Sequence, residues 1–258
     1  MLSLYQKLPA NARQNLTFQQ ITPMCFCLSH CTTAMQGGTP TYHANFGIYA
    51  NYVKMKGMNL QNSSEVIATL RQRLEPVECA DALSDILEGQ HPQARKAAVL
   101  LVLFDQDGEM QLVFIRRAST LRAHSGEIAF PGGAVDVGDS SPVMTALREA
   151  QEEIGLNPAS VDVLGVLPPV FTVVSNFLIM PVVAFLSQGL GTLHLQPSEV
   201  TELILAPLRG LANPAILHTE EWTRGGLTRT VHFYEYGHYT IWGATARMLN
   251  ALLGVLGG

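Results

Sequence analysis

Three glutamates, Glu149, Glu152 and Glu153, stand at i, i+3 and i+4 in a segment that reads as a short helix, so all three project from one face. Ser141 is a good N-cap, Pro142 suits the first helical position, and Gly155 can close the helix in a left-handed cap. Like charges one turn apart cost about 0.2–0.5 kcal/mol per pair. Acids in the last turn also oppose the helix dipole, at about 0.3–1 kcal/mol each. A helix needing only solubility would carry Lys or Arg there. A divalent cation removes the conflict, because hard cations favour clustered carboxylate oxygens and Mg²⁺ keeps open positions for phosphate oxygens. Arg148, the one nearby positive charge, is suited to hold a carboxylate in a fixed rotamer. Read on charge alone, the same residues make a solvated acidic face.

The stretch from residue 117 to residue 133 carries Arg117, Arg122 and His124 and ends in Gly132-Gly133. Guanidinium forks take phosphates bidentately, and N–H groups exposed in glycine turns donate to further oxygens, so the stretch suits a polyanion. The plainer reading is a basic connecting loop. His124 has the pKa range of a general base, but a lone loop histidine more often contacts phosphate or makes a structural hydrogen bond.

Spacing links these two stretches to a known pattern. The segment resembles the Nudix box: Gly, five residues, Glu, seven residues, then R-E-U-x-E-E-x-G-U, with U aliphatic. Gly133, Arg148, Glu149, Glu152, Glu153, Gly155 and Leu156 match, with Ala150 in the first U place. The departure is in the middle. Asp139 takes the place of the first Glu, and eight residues rather than seven separate it from Arg148. The upstream run is similar to the marker of the coenzyme A pyrophosphatase branch of that family: Arg117, Leu121, Arg122, His124, Gly126, Glu127, Ile128, Phe130, Pro131, Gly132 and Gly133 fit it. That branch tends to carry the longer, Asp-bearing loop found here at Asp136 and Asp139.

The resemblance covers about residues 60–256 and implies an α/β fold, the Nudix α/β/α sandwich with a mixed β-sheet. It implies hydrolysis of the pyrophosphate bond of coenzyme A or a derivative to 3′,5′-ADP and 4′-phosphopantetheine, with Mg²⁺ or Mn²⁺ as cofactor. Glu149 and Glu153 are then the principal metal ligands, with Glu152 assisting. Glu152 and Arg148 join Glu199 and Glu202 as catalytic candidates, since the family often supplies one more carboxylate from the region of the latter pair. Arg117, Arg122, His124, Gly132 and Gly133 are the substrate-binding candidates. Two rivals stand beside this reading: a Nudix enzyme for another dinucleotide such as ADP-ribose, and a non-catalytic Nudix module, against which the three surviving box glutamates argue.

The elements that must position these groups are legible around them. From Asn62 the pattern turns helical: Ser63-Ser64-Glu65 starts a segment through Leu74, with Val66, Ile67, Leu70 and Leu74 on one face, and a second short helix runs from Ala80 to Leu87. Ala97–Phe104 is a continuous apolar run, as in a strand covered on both faces, and a turn at Asp105–Gly108 returns it through Leu112–Arg116. Further strands are expected at Val161–Val166, Leu178–Leu186 and Thr230–Tyr236. Thr172 and Ser175 are either turn formers or substrate contacts. Asn213–Gly226 reads as a polar, flexible excursion, and Ile241-Trp242-Gly243 as the opening of a last helix ending near Leu256.

The 258 residues bear a net charge of −5 and only 14% charged residues, against roughly 25% in an average soluble domain, so no nucleic-acid footprint is expected. No apolar run approaches the ~20 residues that span a bilayer. Four cysteines make no disulfide framework, and a reducing, cytoplasmic setting is the default. A homodimer is compatible with the sequence but not specified by it. Residues 1–58 contain no Asp or Glu and are expected to be a poorly structured extension of a domain at 59–258, with Met58 as a candidate start. Cys25, Cys27 and Cys31 are spaced too tightly for an ordinary zinc site and read as free thiols.

Overall fold

The computed structural model describes residues 60, 62–119, 124–224 and 226–257. The expected extension at 1–58, the Met58 start, the Cys25–Cys31 cluster and Arg122 lie outside the described residues.

In chain order the elements are α1 (Ser63–Arg73), α2 (Ala80–Glu88), β1 (Arg95–Gln106), β2 (Glu109–Arg117), β3 (Ile128–Ala129), β4 (Gly132–Ala134) and α3 (Pro142–Ile154). Then follow β5 (Asp162–Val166), β6 (Val170–Thr172), β7 (Phe177–Leu186), β8 (Val200–Pro207), α4 (Leu208–Leu211), β9 (Leu217–Arg224), β10 (Leu227–Tyr236), β11 (Tyr239–Trp242) and α5 (Gly243–Gly257).

The apolar run of β1 becomes the middle of a mixed sheet ordered β3-β2-β1-β7-β5, with β4 on β1, β6 on β7 and β8 on β2. β1 runs parallel to β7 and antiparallel to β2 and β4. Because side chains alternate along a strand, Ala98, Leu100, Val102 and Phe104 join Ala146, Ala150 and Ile154 of α3 in one core. Leu101 and Leu103 join Val66 and Leu70 of α1 and Leu249 and Leu252 of α5 in the other. Both faces of the central strand are therefore dry, and the result is an α/β/α sandwich with a mixed sheet.

Two expectations about the C-terminal part are corrected. Asn213–Gly226 is no loop: a 3₁₀ turn at Pro214–Ile216 leads into β9, which pairs with β10 in a separate three-stranded sheet, β11-β10-β9. Its polar composition hides the strand, because one face carries Thr and Glu whose partners lie across the ladder: Thr223 with Thr228, and Thr230 with Glu221. Ile241 and Trp242 belong to β11, not to the last helix, which begins at Gly243. Ile241 is buried opposite Tyr234, and Gly243, at φ +64, makes the turn from strand to helix.

Candidate active site

The acidic helix forms as its ends dictate. Ser141 Oγ accepts the Met144 N–H at the start, Pro142 fills the first turn, and Gly155 at φ +71 closes the end. Ala146, Ala150 and Ile154 anchor one face of α3 in the core. The opposite stripe lies over the β4 strand, where Gly133 allows the Glu149 carboxylate close and Gly132 lets β4 lie close on β1. A Cβ on Gly132 would stand 2.6 Å from Val99 Cα, and one on Gly133 would stand 2.5 Å from both carboxylate oxygens of Glu149. A larger residue at 132 would collide with the β1 backbone, and one at 133 would push the Glu149 carboxylate away.

Glu153, at 1% exposure, is the most buried acid described. Its Oε2 accepts the Gly132 N–H at 2.8 Å, and its Oε1 lies 3.5 Å from Arg117 Nη1. Burial pushes its carboxyl up to about 7, against the opposing pull of the Gly132 amide and Arg117, with the charges of Glu149 and Glu199 adding to the rise. Glu149 is shifted upward too, first by burial and then, against Arg148, by Glu152 and Glu199.

Arg148 organises the rest through five hydrogen bonds. Its Nε and Nη2 clasp the two Asp139 oxygens at 3.0 and 2.9 Å, Nη2 also donates to the Ala134 carbonyl, and Nη1 donates to Glu149 at 2.9 Å and Glu152 at 3.1 Å. Asp139 further accepts from Thr145 Oγ1 and the Asp136 N–H, and the Arg148 guanidinium holds its carboxyl well below the usual carboxylate range. The sequence alone assigns Asp139 no role; the available signal is its spacing, with five residues between it and Gly133.

The other candidates separate. Glu152 is solvent-facing, with Arg148 as its partner. Glu199 lies near enough for its charge to raise both Glu149 and Glu153. Glu202 instead accepts the Tyr239 hydroxyl at 2.6 Å and pairs with Arg116 at 3.3 Å. His124, at φ +56, is exposed and bonds Glu127 through Nδ1 at 2.9 Å. Thr172 and Ser175 bond each other, and Thr172 Oγ1 accepts the Phe177 N–H, so both are engaged in a turn. The Gly132 amide is occupied by Glu153.

Among the described residues no three His, Cys, Asp or Glu side chains converge into a ready-made metal set. The cause is visible: Arg148 draws Glu149 and Glu152 to itself, while Gly132 fixes Glu153. The donor chemistry nevertheless fits a hard divalent cation. Glu149 and Glu153 are desolvated carboxylates on neighbouring turns, with Glu199 close by, and a positive charge among them would offset the cost of their burial and relieve their mutual repulsion.

The NUDIX domain model matches residues 94–224, from the start of β1 through the carboxylate helix to β9. This chain belongs to the Nudix family. The "uncharacterized Nudix hydrolase NudL" of Photorhabdus laumondii is 39% identical over 158 residues, covering 61% of this chain and 83% of that protein. The protein of the same description from Cronobacter sakazakii is 41% identical over 158 residues, covering 61% and 81%. Among solved structures, a C. elegans Ap4A hydrolase binary complex aligns over 45% of this chain and 82% of its own, with TM-score 0.38 and 18% identity. As a Nudix hydrolase, the chain falls in the class that cleaves the pyrophosphate linkage of a nucleoside-diphosphate compound with a divalent metal. Among the described residues no helix is long and apolar enough to cross a membrane.

Proposed function

We propose that this Nudix hydrolase acts on coenzyme A or a derivative, releasing 3′,5′-ADP and 4′-phosphopantetheine. The observation that carries the narrower reading is the run from Arg117 to Gly133, whose ends bracket the carboxylates: Arg117 beside Glu153, Gly133 beneath Glu149. The wider class, a pyrophosphohydrolase for another nucleoside-diphosphate compound such as ADP-ribose, has the same helix and the same metal requirement and differs only in what the rest of the cleft accepts.

Glu149 and Glu153 are the proposed metal-holding pair, with Glu199 the nearby third carboxylate and Glu152 at the solvent edge. A bound Mg²⁺ or Mn²⁺ supplies Lewis-acid polarisation of the phosphate oxygens and a lowered pKa for a bound water. The chain's own residues do the rest. Arg117 offers a guanidinium to a phosphate while neutralising part of the Glu153 charge, and Arg148 fixes the Glu149 rotamer from behind. Glu199, free of the ion pair that holds Glu202, is the better placed to take a proton from the attacking water.

The deciding experiment is incubation with Mg²⁺ or Mn²⁺ and coenzyme A, acetyl-coenzyme A, ADP-ribose and a dinucleoside polyphosphate, with products identified by mass. Release of 3′,5′-ADP and phosphopantetheine with clear preference over the other compounds supports the narrower reading. Preference for ADP-ribose replaces it with the wider one, and absence of turnover on every compound favours a binding module.

A further inference from the structure

Away from the carboxylates lies a cavity of about 390 Å³, within the size range of small-molecule sites. One wall is the β9–β11 sheet, which contributes Trp222, Phe233, Tyr239 and Trp242; the other is Arg116 and the segment Ser125–Ile128. Cross-strand aromatic pairing accounts for part of this cluster, since Phe233 sits opposite Trp242 in the ladder with their rings parallel to within 6°. Trp222 stands at the edge of the cluster, 5.8 Å from the Trp242 ring and 6.0 Å from the Phe233 ring, with its indole N–H bonded to Glu220. It is 46% exposed on the open side, tilted 46° to Trp242 and 52° to Phe233, with polar groups of Arg116, Glu127 and His238 around the same space. A half-exposed indole on an aromatic-lined cavity with a few polar groups offers a stacking surface for a flat ring.

The cavity and the catalytic region lie on either side of the same strand end. At the end of β2, Arg117 faces Glu153 while Arg116 lines the cavity, its guanidinium 5.2 Å over the Tyr239 ring. The Ser125–Ile128 wall is bonded to the same strand end, Gly126 N–H to the Arg117 carbonyl and Arg117 N–H to the Glu127 carbonyl. We infer that this aromatic cavity holds the nucleobase of the substrate, a purine stacked on Trp222 and Trp242, while the diphosphate crosses the end of β2 to Arg117 and the carboxylates. The inference builds on the pyrophosphohydrolase reading, but binding of the base can be measured without turnover.

The chain's only two tryptophans both line the cavity, so its intrinsic fluorescence reports on this place. The full chain is titrated in EDTA with AMP, adenosine 3′,5′-bisphosphate, ribose 5-phosphate and 4′-phosphopantetheine. The two adenine nucleotides are expected to quench saturably, and ribose 5-phosphate and phosphopantetheine are not. Trp222→Ala is expected to weaken nucleotide binding about tenfold, in keeping with the loss of one stacking partner, and Trp222→Phe to restore most of it, which a merely unfolded hairpin would not do. Equal quenching by ribose 5-phosphate, preferential binding of phosphopantetheine, or nucleotide affinity unchanged in Trp222→Ala would each overturn the assignment. Because no metal or hydrolysis is involved, failure here leaves the pyrophosphatase assay to be judged on its own products.

Discussion

The Glu149 carboxylate lies directly over Gly133, so close that a single methyl group at residue 133 would stand 2.5 Å from each of its oxygens. The glycine is thus required for where the acid sits rather than for the turn. Gly133→Ala is expected to leave the fold intact, since the carboxylate is the mobile end of a side chain, yet to displace it by enough to reduce activity about tenfold to a hundredfold. Circular dichroism alongside steady-state turnover checks both halves.

Asp139 is the anchor of Arg148, and its pKa is depressed by that contact. A carboxylate with a lowered folded-state pKa contributes stability that is present above its unfolded value of about 3.9 and is lost as pH falls through the folded value. Asp139→Ala should therefore lower the urea midpoint at pH 7 and at pH 5, with the gap to the parent protein narrowing as the pH drops below about 4. A gap of constant size down to pH 2 would mean that packing rather than the ion pair sets the effect.

Glu153 has the opposite sign. Burial raises its carboxyl to about 7, above the unfolded value of about 4.3, so its contribution is intact below the unfolded pKa and is lost as pH rises through the folded one. In EDTA the parent protein should lose melting temperature between pH 5 and pH 8 relative to Glu153→Gln, whose amide oxygen can still accept the Gly132 N–H. Parallel melting curves for the two proteins across that range would contradict this account of the site.

Glu199 and Glu202 are separated by their neighbours. Glu202 is engaged with Arg116 and Tyr239, whereas the Glu199 charge acts on the carboxylate helix. Glu199→Gln should reduce kcat by about a hundredfold, the order of one general base, and Glu202→Gln should leave kcat within a few-fold. The reverse order would move the base to Glu202.

The parts of this molecule written in local chemistry could be read directly from the sequence. Ser141, Pro142 and Gly155 bound α3 because caps are sequence-local, and the run Ala97–Phe104 announced a doubly covered strand because burial on both faces demands continuous apolar residues. What could not be read depends on partners distant in the chain. β9 is polar along one face because Glu221 and Thr223 find their mates on β10, not in the core. Trp242 looked like a helix opening because nothing local marks that Phe233 lies opposite it. At the site, the sequence puts three glutamates on one helix face, with Glu149 and Glu153 expected as the principal pair and Glu152 assisting, but it does not show what each one meets. Only the fold could distribute them: Glu153 under Gly132, Glu149 over Gly133, and Glu152 outward on Arg148.

The most direct test of the central claim is calorimetric titration of Mn²⁺ and Mg²⁺ into the parent protein and into Glu149→Gln, Glu152→Gln and Glu153→Gln. If the buried pair holds the metal, affinity should fall at least about tenfold in the Glu149 and Glu153 variants, since losing even a partner that supports a ligand costs about that much, and much less in the Glu152 variant. Equal affinity in all four proteins would contradict the account.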